Sequence, residues 1–199
     1  MEQLTGAVLA GGESRRMGAN KALLTIGGEA LVERLIAVLS EETDRMLLVT
    51  NQPDQFSFLR TEKVIDRYPG CGPLAGLDAA FSAVSGGWVF LSSCDLPFPD
   101  LRVVRALIEK ADTGNGQAVV PEIHGVKHPL FALYHYSLQA KVEKKLADGE
   151  HRMTGLLEET QVTYLNAEFF RNLGMTDEDI SKAFYNMNRP EDYQWAKNQ

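Results

Sequence analysis

The sequence is short of cysteine, of long apolar runs and of basic charge, and each shortage removes a class of protein. Two cysteines, Cys71 and Cys94, among 199 residues make no disulfide framework, and they lack the paired spacing of a zinc site. A reducing cytoplasm is therefore the expected compartment, although the sequence leaves a single bridge between the two open. No segment approaches the roughly eighteen apolar residues of a membrane-spanning helix. The opening MEQLTGAVLAGG carries an acid where a signal peptide has its basic region, so export is not expected. Lysines and arginines number 20 against 27 acids, a net charge of −7, which argues against a nucleic-acid or acidic-membrane surface. H-E-x-x-H, C-x-x-C and a Ser-His-Asp spacing are all missing, which leaves structural zinc and a covalent nucleophile unsupported.

What is there is the content of an ordinary folded α/β chain. The length suits one sizeable domain, expected over residues 1–199. Thr5 to Ala10 is a short apolar run ending in Gly-Gly, as in a strand buried on both faces of a parallel sheet. Glu29 to Thr43 places Leu31, Leu35, Val38 and Leu39 on one helical face. Residues 46–50, 63–66 and 88–92 read as further strands, with a small-residue helix over Leu74 to Val84. Pro99 to Ala111 keeps a helical period, and QAVVP and PLFALY read as strands around the polar turn EIHGVKH. Helices are expected over Ser137 to Ala147, Met153 to Thr160 and Pro190 to Asn198, with QVTYL as a late strand. Alternation of strands with helices of this length implies βαβ units and a mostly parallel central sheet.

In such sheets ligands sit beyond the carboxyl ends of the strands, where the strand order reverses. The residues just past each strand are therefore the informative ones: AGGESRRMGANK, then Asn51, then Asp66, then Cys94 and Asp95. The first cluster, LAGGESRRMGANK, fits neither G-x-G-x-x-G nor G-x-x-x-x-G-K-[ST]. It still has what an anion nest needs, namely glycines that turn backbone N–H groups inward and Arg and Lys for charge-assisted contacts. A plain turn with solvated cations is the bland alternative. Asp95 reads equally as a turn cap or as a carboxylate for Mg²⁺, an ion that takes one or two carboxylates plus nucleotide phosphates. Beside a cationic loop, metal plus polyphosphate is the better reading. CGPLAGL (71–77) suits either a flat base and ribose or close helix–sheet packing. His128 beside a proline reads as structural, and Asn188 reads as a helix cap or a binding residue.

With these motifs in hand, the sequence resembles the nucleotidyltransferases, and within them the molybdenum cofactor guanylyltransferases, the MobA family. LAGGESRRMGANK is similar to the signature LAGG-x-S-x-RMG-x-x-K, and GPLAGL, CDLPF, HPLFALY and NMNRPEDY come after it in the family's order. The resemblance implies a three-layer, Rossmann-like nucleotidyltransferase domain. It implies transfer of GMP from GTP to the terminal phosphate of molybdopterin, with Mg²⁺ as cofactor, and contacts with molybdenum-insertion proteins or molybdoenzyme chaperones. Carried over by position, Leu9, Ala10, Gly11 and Gly12 would lie along the nucleotide, with Arg16 and Lys21 on its phosphates and Asp95 on the metal. Asn51 and Asp66 would be further nucleotide contacts, Gly72, Leu74 and Gly76 would border base and ribose, and His128, Asn186 and Asn188 would face the pterin or the metal side. The chain departs from the family at Asn20, where Asp is usual, and at Arg189, where Thr is usual. A CTP-dependent relative, a sugar-1-phosphate nucleotidyltransferase and a non-catalytic nucleotide-binding module are the alternative readings. Gly11 and the stretch Leu74 to Gly76 favour GTP by resemblance.

Overall fold

The structure, a computed structural model, describes residues 2–11 and 20–199. Along the chain run β1 (Leu4–Leu9), β2 (Thr25–Ile26), β3 (Glu29–Ala30), α1 (Leu31–Ser40), β4 (Arg45–Val49), β5 (Glu62–Val64), α2 (Gly72–Ser82) and β6 (Trp88–Ser93). Then come α3 (Leu101–Thr113), β7 (Ala118–Ile123), β8 (Val126–Lys127), β9 (Phe131–His135), α4 (Gln139–Ala147) and α5 (Met153–Glu158). The chain ends with β10 (Val162–Asn166), α6 (Ala167–Asn172), α7 (Asp177–Ala183) and α8 (Pro190–Ala196).

The apolar runs form a central sheet in the order β10-β7-β9-β6-β1-β4-β5, with β8 on β7. β1 lies parallel between β4 and β6, β5 is parallel to β4, and β10 is parallel to β7. β9, antiparallel to β6 and β7, and the two-residue β8 are the exceptions to the parallel arrangement. Alternate residues of each strand feed two cores, as a pleated strand requires. Leu4 and Val8 of β1 join α1, α3, α6, α7 and α8 on one face, and Ala7 joins α2, α4 and α5 on the other. The fold is thus the expected α/β arrangement of a mostly parallel sheet covered on both faces.

Local chemistry moves several boundaries. The helix expected from Glu29 begins at Leu31, because Gly27 and Gly28 adopt φ of 61° and 87° and fold Thr25–Ala30 into a hairpin. Glu33 then accepts a hydrogen bond from the Ala30 N–H at 3.0 Å and closes the first turn of α1. The helix expected from Pro99 starts at Leu101, where the Asp100 carboxylate accepts from the Arg102 N–H at 2.8 Å. The EIHGVKH turn contains a tight β7–β8 hairpin, with His124 at φ 50° and Gly125 at φ 78°. Helices α6 and α7 have no strong sequence period and are short, capped by Asn166 and Thr176.

Close approach of chain segments shows best at two glycines. A Cβ on Gly76 would lie 2.6 Å from Leu9 Cδ2, so the Leu9 side chain fills the space beside position 76 and would have to shift to admit one. Gly87 has φ +78°, and a Cβ there would meet the Gln3 carbonyl oxygen at 2.1 Å. Backbone cannot yield as a flexible side chain can. Gly87→Ala should therefore destabilise the fold by about 2 kcal/mol or more, a fall of at least about 4 °C in Tm for a chain of this length. Gly86→Ala, whose Cβ would meet nothing within 4 Å, should leave the melting curve in place.

Candidate active site

From β1 the sheet grows through β4 and β5 on one side, and the chain then returns through α2 to place β6 on the other. That reversal separates the loops after β1 and β6 and leaves a crevice at the carboxyl ends of the strands. A cleft of about 490 Å³ opens there. Each of these four strands contributes to its lining: Gly11 and Lys21 after β1, Asn51 after β4, Asp66 after β5 and Asp95 after β6. Leu9, Ala10, Gly72 and Gly76 also border it. The four separate polar clusters of the sequence thus meet in one place.

Lys21 is held at the start of a single 3-10 turn, Lys21–Leu23. Asn20 caps that turn, its Oδ1 accepting from the Ala22 N–H at 3.1 Å, while its Nδ2 donates to Gln55 Oε1 at 3.2 Å. Asp and Asn cap equally well, so the departure from the family's usual Asp preserves the local geometry. The Lys21 ammonium donates to Asp95 Oδ1 at 2.6 Å, to the Met187 carbonyl at 2.6 Å and to Asn188 Oδ1 at 3.2 Å. Three donors meet three acceptors, so the ammonium is held in one place. The Lys21 side chain is 15% exposed and that of Asp95 31%, which leaves the carboxylate the more open of the two. The Met187 N–H donates in turn to the Asp95 carbonyl at 2.8 Å.

The segment that supplies Met187 and Asn188 is fixed from both sides. Met187 is buried in the core, and the Asp192 carboxylate accepts the N–H groups of Asn188 and Arg189, both at 2.8 Å. Those two bonds hold the Asp192 carboxyl below the ordinary carboxylate range. Arg189, not Asn188, occupies the cap position of α8, without a side-chain cap bond of its own. The cap reading of Asn188 is therefore corrected: its side chain serves Lys21.

Other positions fall into place individually. Asn51 Oδ1 accepts from the Asp66 N–H at 3.1 Å, and Asp66 Oδ1 accepts from the Tyr68 N–H at 2.7 Å, so the first orders the loop that presents the second. Leu74 is fully buried among the residues under α2 and does not line the cleft, which corrects its expected place beside the base. Gly76 borders the cleft, yet its missing Cβ accommodates Leu9, so packing explains that glycine. Asn186 is exposed, next to Met187. Cys94 is buried, its Sγ donating to the Leu9 carbonyl at 3.7 Å, and burial pushes its thiol up, away from the nucleophilic thiolate. Both cysteines are free thiols. Gly12 and Arg16 lie outside the described residues.

Sequence reasoning missed three contributors. Met187 acts through its backbone, which no residue-type pattern reveals. Arg67 and Asp78 form a bidentate pair beside the cleft, with Asp78 fully buried. An acid in the middle of GPLAGLDAAF was the available signal, because a carboxylate on a buried helix face requires a partner.

A mostly parallel α/β sheet with a cleft at its switch point, bordered by Gly11, Lys21 and Asp95, is the Rossmann-like arrangement that receives a ligand beyond the carboxyl ends of its strands. Residues 6–163 match the family described as MobA-like NTP transferase domain, and the chain belongs to that family. A protein of Carboxydothermus hydrogenoformans named "Probable molybdenum cofactor guanylyltransferase" is 34% identical over 196 residues, 98% of this chain and 95% of its own. One of the same name from Halalkalibacterium halodurans is 32% identical over 193 residues, 94% of each chain. Among solved structures, molybdopterin-guanine dinucleotide biosynthesis protein A of Archaeoglobus fulgidus superposes with a TM-score of 0.83 at 27% identity, covering 98% of this chain and 97% of that one.

His128 is half-buried outside the cleft lining, its ring 4.8 Å from that of Phe184. Desolvation lowers its pKa from the ordinary 6.5, so the folded state resists a proton that the unfolded chain accepts. Its contribution to stability is present above the unfolded value and is lost as pH falls below it. The wild type should accordingly lose more Tm between about pH 7 and about pH 5 than His128→Phe does, as measured by thermal melts across that range.

Proposed function

We propose that this protein transfers GMP from GTP to the terminal phosphate of molybdopterin, releasing pyrophosphate and forming a molybdopterin guanine dinucleotide. The observation that carries this reading is the meeting of Lys21 and Asp95, from either side of the switch point, in one cleft, with Asn188 bound to the same ammonium. Membership of the family and the names of relatives that span nearly the whole chain support the choice of substrates.

The attacking group is a phosphate oxygen, already ionised near neutral pH, so the protein need supply neither a general base nor a covalent nucleophile. The neutral, buried Cys94 thiol agrees with that economy. What the site has to supply is alignment of two mutually repelling anions and a counter-charge for the leaving pyrophosphate. Lys21 gives a fixed positive charge at the mouth of the loop after β1, and Asn51 and Asp66 present polar groups along the opposite wall. Arg16 and the backbone of Gly12 are assigned to the phosphates by their place in the signature alone. Among the described residues an added Cβ at Gly11 would meet only the Val49 carbonyl oxygen, at 4.0 Å, and Gly11 lines the cleft. That placement is consistent with a purine lying close to the backbone.

Among the described residues no three His, Cys, Asp or Glu side chains gather into a metal cluster, whereas Asp95 turns a partly open carboxylate to the cleft. One carboxylate plus substrate phosphates is the donor set that suits Mg²⁺, so the residues present fit the ion and Asp95 would hold it. Bound there, Mg²⁺ would offset negative charge on the triphosphate.

Pyrophosphate release measured with each NTP in turn, with and without molybdopterin and Mg²⁺, tests the proposal. Release with GTP that depends on molybdopterin is the expected result. Release with CTP alone or with a sugar phosphate as acceptor would overturn the substrate assignment, and GTP binding without release would make the protein a binding module. Asp95→Ala should lower the Mg²⁺-dependent rate on the order of a hundredfold to a thousandfold with an unchanged circular dichroism spectrum. A near-normal rate would remove Asp95 from the mechanism.

A further inference from the structure

The loop between β5 and α2 forms one wall of the cleft, through Asp66, Gly70 and Gly72. Little in its composition accounts for a fixed shape. Ile65 and Tyr68 expose their side chains, at 54% and 39%, and Gly70 and Gly72 take φ of +82° and +71°. Its ties include the bonds from the Asp66 N–H to Asn51 Oδ1, from the Tyr68 N–H to Asp66 Oδ1, and from the Cys71 N–H to the Tyr68 carbonyl at 3.0 Å.

Arg67 gives this loop a deeper anchor. Its guanidinium donates from Nε to Asp78 Oδ2 at 3.1 Å and from Nη2 to both Asp78 oxygens at 2.9 Å. Asp78 is fully buried on α2, and Arg67 is about half exposed, at 49%. The same Nη2 lies 3.5 Å from Glu143 on α4. The fork therefore joins the residue next to Asp66 to the helix that carries Gly76. Burial raises the Asp78 carboxyl above its ordinary value, the nearby charges of Glu143 and Asp66 add to the rise, and Arg67 opposes it.

Stability is a weak reason for such a pair, because well-packed apolar side chains often replace a buried ion pair without loss. What apolar side chains cannot supply is the planar, bidentate geometry that fixes one orientation of the loop. We propose that Arg67 and Asp78 are positioning residues, a clamp that holds the Asp66–Gly72 wall of the cleft in its nucleotide-ready shape. This rests on the nucleotidyltransfer reading of the cleft. A wall ordered in advance reduces what nucleotide binding must order, so the clamp acts on binding and not on the transfer step.

Three variants of the full chain test this: Arg67→Gln, Arg67→Lys, and the double variant Arg67→Met with Asp78→Leu, which leaves no buried charge behind. Hydrogen exchange of the amides of residues 66–72 is read first, since it needs no substrate. Exchange there should quicken about tenfold in Arg67→Gln and in the double variant, with β4 and β6 unchanged. The KM for GTP should rise about tenfold while kcat stays within about threefold, and Arg67→Lys should recover part of both effects. The double variant should melt near the wild type yet keep the raised KM. A double variant with wild-type exchange and KM would overturn the clamp, as would exchange that quickens equally throughout the sheet or a fall confined to kcat. If the wild type releases no pyrophosphate from any NTP, the functional reading fails and exchange at 66–72 alone decides the clamp.

Discussion

An ammonium group with three acceptors organises this molecule. The Lys21 Nζ reaches Asp95, the Met187 carbonyl and Asn188 at once, and so joins the loop after the first strand, the end of the central strand β6 and a segment near the end of the chain. The Met187 N–H to the Asp95 carbonyl closes the same junction from the other side. The two bonds of 2.6 Å, to Asp95 and to the Met187 carbonyl, are charge-assisted and stronger than neutral ones. The cleft has its shape because these three pieces of chain cannot separate without leaving a charge uncompensated.

The sheet makes that junction feasible and the glycines refine it. Parallel strands deliver all their carboxyl ends to one side, and the reversal between β1 and β6 opens a crevice between two neighbouring loops. Close approach of α2 to β1, with Leu9 filling the space beside Gly76, brings the far wall within reach. Asn51, Asp66, Arg67 and Asp78 then stiffen that wall through a short chain of hydrogen bonds. The site is in this sense an outcome of strand order first and of side-chain chemistry second.

Much of this was legible in the residues. Apolar runs bounded by glycine marked the central strands, and the polar positions just beyond their carboxyl ends, Gly11, Lys21, Asn51, Asp66 and Asp95, all border the cleft. Motif resemblance pointed to the same positions. The failures have physical causes. Leu74 stands inside a motif, but its helix turns that side chain into the core, and a motif string carries no face. Gly27 and Gly28 convert the start of an amphipathic run into a hairpin, which periodicity alone does not register. Helices α6 and α7 depend on caps and tertiary burial more than on a strong period. Met187 contributes a carbonyl, a group that every residue possesses.

The partners of Lys21 lie 74, 166 and 167 positions further along the chain. Every strand of the sheet precedes residues 187 and 188 in the chain, β10 ending at Asn166, so two of the lysine's acceptors come from a segment that follows the whole sheet. Contacts of such long range close late and slowly. The corner of the cleft that Lys21 closes is therefore built from residues nearly the full length of the chain apart, and it is the part of the site whose formation depends on the sheet being in place first.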